Sequence, residues 1–168
     1  MLLFTHMKQR LIIALIVLGL GVAWYLGSPL FIDKTVDEAL PLTQLSDEDY
    51  IDMDVEDEMP TEPIVIASGS FEDADSVHKG SGSARLYKLT DGSHIVRFED
   101  FTVTNGPDLR VLLAMDGNTS TAVELGKLKG NMGNQNYEIS ADIDPSAYNS
   151  IVIYCKPFHV TFSTAELK

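Results

Sequence analysis

The sequence predicts an all-β domain of about eight short strands, built as a single sandwich or a partly closed barrel. After Pro63, β-branched and aromatic runs of four to eight residues alternate with glycine, asparagine and proline turns, and no long window shows a helical period. The pair Asp91-Gly92 predicts a tight hairpin, because both residue types tolerate positive φ. The predicted strands cover residues 64–67, 84–89, 94–99, 101–104, 109–114, 137–140, 151–155 and 158–162.

Residues 1–32 predict an N-terminal membrane anchor ahead of this domain. The run from Leu11 to Ile32 contains no charged residue, and as a helix it would span about 33 Å, against about 30 Å for a hydrocarbon core. Lys8 and Arg10 precede the run, so the positive-inside rule keeps the N-terminus cytoplasmic and the C-terminal domain outside. A cleaved signal peptide is the alternative, since the small residues that end at Ala23 resemble a cleavage site. Retention of the helix would make the lipid bilayer a partner.

Residues 33–63 predict an acidic, disordered linker between the anchor and the β domain, which then comprises residues 64–168. The linker carries twelve acidic residues against one lysine, a net charge of −11, and it contains three prolines. Its dense part, residues 47–58, also suits docking of a cationic partner. The β domain itself has a net charge of only −4. Binding to a phosphate backbone needs a cluster of basic residues, which this sequence lacks, so we expect no nucleic-acid partner.

Few polar clusters in the β domain suggest other chemistry. His78 lies in a loop among acidic residues, where it is either a ligand or acid–base group or an ordinary surface histidine. Asp142 and Asp144 suit either calcium binding or turn initiation before Pro145. The sequence contains neither a phosphate-binding loop nor a nucleophile elbow, and we predict no metal site.

Cys155 is the only cysteine, so it cannot form an internal disulfide. In an exported chain it is either a buried small apolar side chain or a reactive thiol. Strand alternation puts Cys155 on the face of Ile151 and Ile153, with Tyr154 on the other face. Both faces are largely apolar, which predicts a central strand and a buried thiol.

A reactive thiol needs a nearby cation to stabilise the thiolate. His159 has the right parity but would lie about 13 Å from Cys155 along a straight strand, so only a bend at Pro157 brings it close. His78 or His94 could approach from other strands.

The order of motifs from Gly69 to Leu167 resembles the DM-thirteen electron-transfer domain family. The segments that carry the resemblance are Gly69-Ser70-Phe71, His78, Gly80 to Ala84, Phe101 to Leu109, Leu125 to Gly130, Gly133 to Tyr137, and Ile151 to Phe158. The family implies a β-rich extracytoplasmic module whose near-invariant cysteine is proposed to act in redox chemistry, as a bare thiol or as a ligand to a group such as haem. Cys155 matches that cysteine, and Tyr154 stands where tryptophan is common.

Two functional hypotheses follow. The first is a membrane-tethered, extracytoplasmic electron-transfer or thiol-redox accessory module centred on Cys155, with His78, Tyr154 and His159 as supporting candidates and an unknown redox or cell-surface protein as partner. Haem is the less favoured cofactor, because no Cys-x-x-Cys-His attachment run is present and thiolate ligation needs a large apolar pocket. The second hypothesis is a non-catalytic cell-surface binding or adhesion module with a structural cysteine.

Overall fold

The computed structural model describes residues 2–27, 32–41 and 62–168. Within these ranges it contains one long helix, α1 (Leu2–Gly27), nine strands, and a one-turn 3-10 helix at Pro145–Ala147. The strands are β1 (Thr35–Asp37), β2 (Ile64–Asp73), β3 (Gly80–Lys88), β4 (His94–Val103), β5 (Leu109–Ala114), β6 (Val123–Lys127), β7 (Met132–Ile139), β8 (Ser150–Cys155) and β9 (Val160–Glu166). The prediction of an all-β domain is therefore confirmed.

The nine strands form one continuous sheet in the order β1-β7-β4-β3-β2-β9-β8-β5-β6. Every neighbouring pair is antiparallel except β1 and β7, which run parallel. The ten-residue strand β2 joins the two halves, since residues 64–70 pair with β3 and residues 71–73 pair with β9. The molecule is therefore a curled half-barrel and not a sandwich of two sheets, because one long strand belongs to both halves.

The concave side of this sheet holds the hydrophobic core. Phe98 of β4, Val111 of β5 and Ile153 of β8 belong to the same buried cluster, although their strands lie in different halves of the sheet. The rings of Phe71, Phe98 and Phe101 meet at centroid distances of 4.8 to 4.9 Å. Burial of one such side chain is worth about 1.5–3 kcal/mol. Curling of the sheet thus gives a small domain a single shared core.

Several strand boundaries differ from those predicted. The two strands expected at 94–99 and 101–104 are one strand, β4, with a register shift against β7 between Phe98 and Phe101. Asp100 adopts a positive φ of 49° at that bulge, and its backbone N–H donates to Asn134. An extra residue can be accommodated in this way without ending a strand. The sequence analysis also missed β6, whereas the hairpin at Asp91-Gly92 is confirmed between β3 and β4.

The N-terminal part of the predicted linker is ordered. Residues 35–37 form β1, and Leu40 packs against a second apolar cluster of Tyr87, Leu89 and Ile95. The predicted disorder therefore does not extend to residues 35–40, because backbone pairing to β7 and the packing of Leu40 hold this segment in place. Residues 42–61 of the predicted linker lie outside the described residues.

The predicted N-terminal helix is present as α1. Among the residues that the structure describes, no helix combines the length and apolarity needed to cross a membrane. Residues 28–31, which the predicted span also includes, lie outside the described residues.

Candidate functional site around Cys155

Cys155 is the last residue of β8, a central strand between β5 and β9. Its side chain is fully buried and shares the inner core with Ile151 and Ile153, as strand alternation predicts. Val152 and Tyr154 belong to a separate cluster on the outer face. Cys155 pairs with Leu109 of β5 and with Val160 of β9. The thiol therefore lies at the end of the core and not at its centre.

The thiol has one polar partner, in the loop between β4 and β5. The Sγ atom donates to the carbonyl oxygen of Pro107 at 3.2 Å. The next residue, Lys156, donates its backbone N–H to the carbonyl oxygen of Asp108 at 3.3 Å. Residues 104–107 are half-buried. We call residues 104–108 the cover loop, because it bonds both the thiol and the residue that follows it.

Other connections meet the cover loop at the same end of the half-barrel. The loop between β2 and β3, residues 74–79, is joined to it by the backbone N–H of Thr104, which donates to the Lys79 carbonyl at 2.9 Å. The turn between β8 and β9, residues 156–159, follows Cys155 directly. We call this end of the domain the thiol end. A partner that approached Cys155 would meet these segments first.

His78 lies at the thiol end, but it does not contact the thiol. Its Nδ1 atom is 2.7 Å from a carboxylate oxygen of Asp75, and its ring packs on Phe162 at a centroid distance of 4.2 Å. The hydrogen bond with the His78 side chain lowers the pKa of Asp75 to about 2. A side chain at Gly106 in the cover loop would overlap the same Phe162 ring. The Phe162 ring therefore contacts the His78 ring and also lies against Gly106 of the cover loop.

Tyr154 and His159 form a pair with each other on the outer side of β8. The Tyr154 hydroxyl is 2.8 Å from His159 Nδ1, and His159 adopts a positive φ of 56° in the turn. The chain does bend around Pro157, as the sequence analysis required, but the bend directs His159 toward Tyr154 and not toward Cys155. His94 begins β4 at the opposite end of the sheet. The structure thus brings none of these three side chains into contact with the thiol.

The basic side chains near β8 are occupied by carboxylates. Lys156 bonds Glu124 at 3.0 Å, while Arg110 bonds both Glu124 and Asp108. The hydrogen bond from Arg110 lowers the pKa of Asp108, and the one from Lys156 lowers the pKa of Glu124. This ion-pair network lies on the outer face, where Arg110 pairs with Tyr154 in the ladder. It supplies no cation to the thiol on the inner face.

The donor sets do not suit a metal or a haem. The described part of the chain contains no cluster of three or more histidine, cysteine or acidic side chains placed to hold a metal ion. Asp144 caps the 3-10 helix by accepting from Ser146, which supports turn initiation over calcium binding. Cys155 has no solvent exposure, its sulfur is bonded to a backbone carbonyl, and it lines none of four surface cavities. Thiolate ligation of haem therefore does not fit this arrangement.

Sequence reasoning missed the residues that contact the thiol region most directly. The contacts of the Pro107 carbonyl and the Phe162 ring could not be predicted from the sequence. Every residue has a backbone acceptor, and most strands contain an aromatic or another apolar core residue. Within residues 130–136, Gly130 and the residues from Gly133 onward were noted as part of the resemblance, whereas Asn131 and Met132 were not noted. The three asparagines and two glycines of this segment hold residues 32–41 in place, and that unusual density of small and amide residues was the available clue.

Comparison with known proteins agrees with the resemblance seen in the motifs. The profile of the family described as Electron transfer DM13 matches residues 70–167, from the middle of β2 through β9. No curated protein and no solved structure matches the chain. The matched segment is more than half of the chain and contains Cys155, the cover loop and His78. The chain belongs to the Electron transfer DM13 family.

Proposed function

We propose that this protein is a membrane-tethered, extracytoplasmic electron-transfer module whose redox group is the Cys155 thiol. The observation that carries the proposal is the location of the only cysteine in an electron-transfer family domain. Its sulfur is bonded to the half-buried cover loop at the end of the core. A thiol needed only for packing could lie anywhere in the core.

The proposed reaction is thiol–disulfide exchange with a partner protein that carries a disulfide. No basic side chain of the described residues contacts the thiol, so the Cys155 sulfur loses its proton to solvent when the cover loop opens, and it then attacks one sulfur of the partner disulfide. A bond forms between Cys155 and that sulfur, the partner's own S–S bond breaks, and the other partner sulfur leaves as a thiolate that takes up a proton. Cys155 is oxidised and the departing sulfur is reduced. The cover loop must open for this attack, because the thiol is fully buried in the closed form.

Oxidised glutathione is a suitable probe of this reaction. The full-length protein is incubated with it, and mass spectrometry follows the mixed disulfide at Cys155. We expect the mixed disulfide to form at a rate that low concentrations of urea do not change. Dithiothreitol should remove the adduct completely. Cys155→Ala is the matched control and forms no adduct. Adduct formation that occurs only in proportion to global unfolding would contradict the proposal, because the thiol would then be inert in the folded protein.

The second candidate function is a binding module in which Cys155 is structural. The complete burial of Cys155 within the apolar core favours it. In that case Cys155→Ala keeps the binding of a cell-surface partner at temperatures where the domain stays folded. A partner captured equally well by the wild-type and alanine proteins, together with an inert thiol, would establish this alternative.

The membrane tether is supported by the sequence of residues 1–33. The uncharged run from Leu11 to Ile32 lies between Lys8 and Arg10 on one side and Asp33 on the other. Ile32 is bonded to the cover loop, since its carbonyl oxygen accepts from Asn105 at 3.3 Å. An embedded run would therefore keep the thiol end close to the bilayer surface and direct it toward a membrane-bound partner.

Fractionation tests the tether. A retained anchor leaves the full-length protein in the membrane pellet after alkaline extraction, with the β domain digested by protease added from outside. A cleaved signal peptide instead gives a soluble protein that starts near Trp24. A soluble protein with an intact N-terminus would refute both forms of export.

A further inference from the structure

Residues 32–41 form a strap along the outer edge of β7. The strap contains β1, which pairs with β7 in parallel through Thr35 with Met132, Val36 with Gly133, and Asp37 with Asn134. The strap lies outside the segment that matches the family profile, which begins at residue 70. The contacts that hold it can be identified one by one.

The edge of β7 is shaped to receive a backbone. A side chain on Gly130 would overlap the carbonyl oxygen of Lys34, and one on Gly133 would overlap that of Val36. Gly133 also has a φ of 95°, which disfavours any other residue. Gln135 is fully buried and exchanges two hydrogen bonds with the backbone of Gly130, which holds the loop before β7 in position. The groove thus belongs to the rigid part of the domain.

Two carboxylates of the strap anchor its ends. Asp33 accepts from the side-chain amide of Asn131 at 2.8 Å, and Asn131 in turn accepts from the Lys34 backbone N–H at 2.6 Å. Glu38 accepts from Lys129 at 2.9 Å and from the backbone N–H of Asn136 at 2.8 Å. A ligand for this groove is therefore an extended segment with carboxylates five residues apart.

The strap is bonded to the loop that covers the thiol. The same oxygen of Asp33 accepts from the side-chain amide of Asn105 at 2.9 Å, and Asn105 also donates to the Ile32 carbonyl. Asn105 and Pro107 both belong to the cover loop, and Pro107 holds Cys155. The strap and the thiol thus contact the same loop, the strap through Asn105 and the thiol through Pro107.

We propose that the strap is a reversible β-strand ligand of the β7 edge, and that its docking keeps the cover loop closed over Cys155. Only three residues of the strap enter the ladder, and Leu40 is its one apolar contact with a core cluster. Such a segment opens at a lower free energy than the domain core does. Release of the strap frees Asn105 and gives reagents access to the thiol. This proposal holds whether or not the thiol has a redox role.

The test measures access to Cys155 in the full-length protein. The rate of alkylation by iodoacetamide is measured without denaturant, together with amide hydrogen exchange in residues 105–109. We expect Asp33→Ala to raise both rates about tenfold or more, since the side-chain amides of Asn105 and Asn131 lose the oxygen that accepts from both. Asp33→Asn keeps an acceptor oxygen and should stay near the wild-type rates. Glu138→Ala removes an exposed acid from β7 itself and controls for charge.

A peptide with the sequence of residues 32–41 then tests whether the strap acts as a ligand. Added to the doubly substituted protein Asp33→Ala/Glu38→Ala, it should restore slow alkylation in a saturable manner, whereas a scrambled peptide should not. Equal alkylation of wild-type and Asp33→Ala proteins would overturn the proposal. So would a rise that only matches the loss of global stability measured in urea. Alkylation requires no redox partner, so these outcomes are separate from those of the glutathione experiment.

Discussion

Two regions of one sheet are stabilised in different ways. The inner face of β8 is held by apolar burial, with Ile151, Ile153 and Cys155 fully inaccessible to solvent. The strap at the β7 edge is held by backbone pairing and by the carboxylates of Asp33 and Glu38. Apolar burial is insensitive to pH, whereas a carboxylate contact is lost on protonation. The comparison teaches that the two regions should open under different conditions, although they bind the same cover loop.

The largest change in the free energy of unfolding should come from a substitution that leaves a cavity on the inner face of β8. Replacement Ile153→Ala should lower the free energy of unfolding by about 2–5 kcal/mol, because a fully buried side chain loses its packing and leaves a void. Urea denaturation of the full-length protein measures the change. A loss below about 1 kcal/mol would show that the core collapses around the void and is softer than its burial suggests.

Substitutions of Cys155 should have a smaller effect on stability. Cys155→Ala removes one buried atom and should cost about 0.5–1.5 kcal/mol. Cys155→Ser should cost about as much, because its hydroxyl can donate to the Pro107 carbonyl that now accepts from the thiol. The sequence alone predicts that Cys155→Ser is more destabilising than Cys155→Ala if the serine hydroxyl finds no partner. Thermal unfolding of both variants decides, and a much less stable serine protein would mean that the cover loop does not satisfy the hydroxyl.

The strap should respond to acid before the core does. Burial raises the pKa of Glu38, but the hydrogen bonds from Lys129 and Asn136 and the charge of Arg97 lower it further, so the net pKa lies below the ordinary value of 4.5. The Lys129 ammonium that bonds Glu38 also lies over the Tyr137 ring at 5.4 Å, and burial raises the pKa of the Tyr137 hydroxyl. Glu38 therefore stabilises the docked strap above pH 4.5, and this contribution is lost as the pH falls through the lowered value.

Hydrogen exchange at pH values on either side of this window measures the acid response. Amides of residues 34–38 and 105–109 should lose protection at low pH while those of β8 keep it. In Glu38→Gln the change should be smaller, because the titrating group is absent. Simultaneous loss of protection in the strap and in β8 would show that the two regions open as one unit.

The smallest effect should come from the outer face of β8. Tyr154→Phe removes the hydrogen bond to His159, which is exposed, and should change the free energy of unfolding by about 0.5 kcal/mol or less. The alkylation rate of Cys155 should also stay unchanged, because this pair lies on the other face. A large change in that rate would link the outer pair to the thiol after all.

Part of this fold could be predicted from short-range patterns in the sequence. Alternation along β8 correctly predicted which residues share the face of Cys155, because successive side chains of any strand point to opposite sides. The hairpin at Asp91-Gly92 was also predictable, since positive φ is a property of those residue types. The division of β4 was wrong because Asp100 resembles a strand break, and only pairing with β7 shows that it is a bulge.

The sequence by itself determined the all-β class, the family resemblance, the burial of Cys155 and the absence of an internal disulfide. Each follows from residue identity, from short-range periodicity or from the number of cysteines. Only the tertiary structure decided that the sheet curls as one piece, that Pro107 accepts from the thiol, that Tyr154 pairs with His159, and that residues 32–41 dock on β7. These contacts join residues that lie far apart in sequence or depend on the geometry of a turn. A backbone acceptor such as the Pro107 carbonyl is present at every residue whatever its type. The asparagines and glycines of residues 130–136 indicate a bound backbone, but they do not identify the segment that docks there.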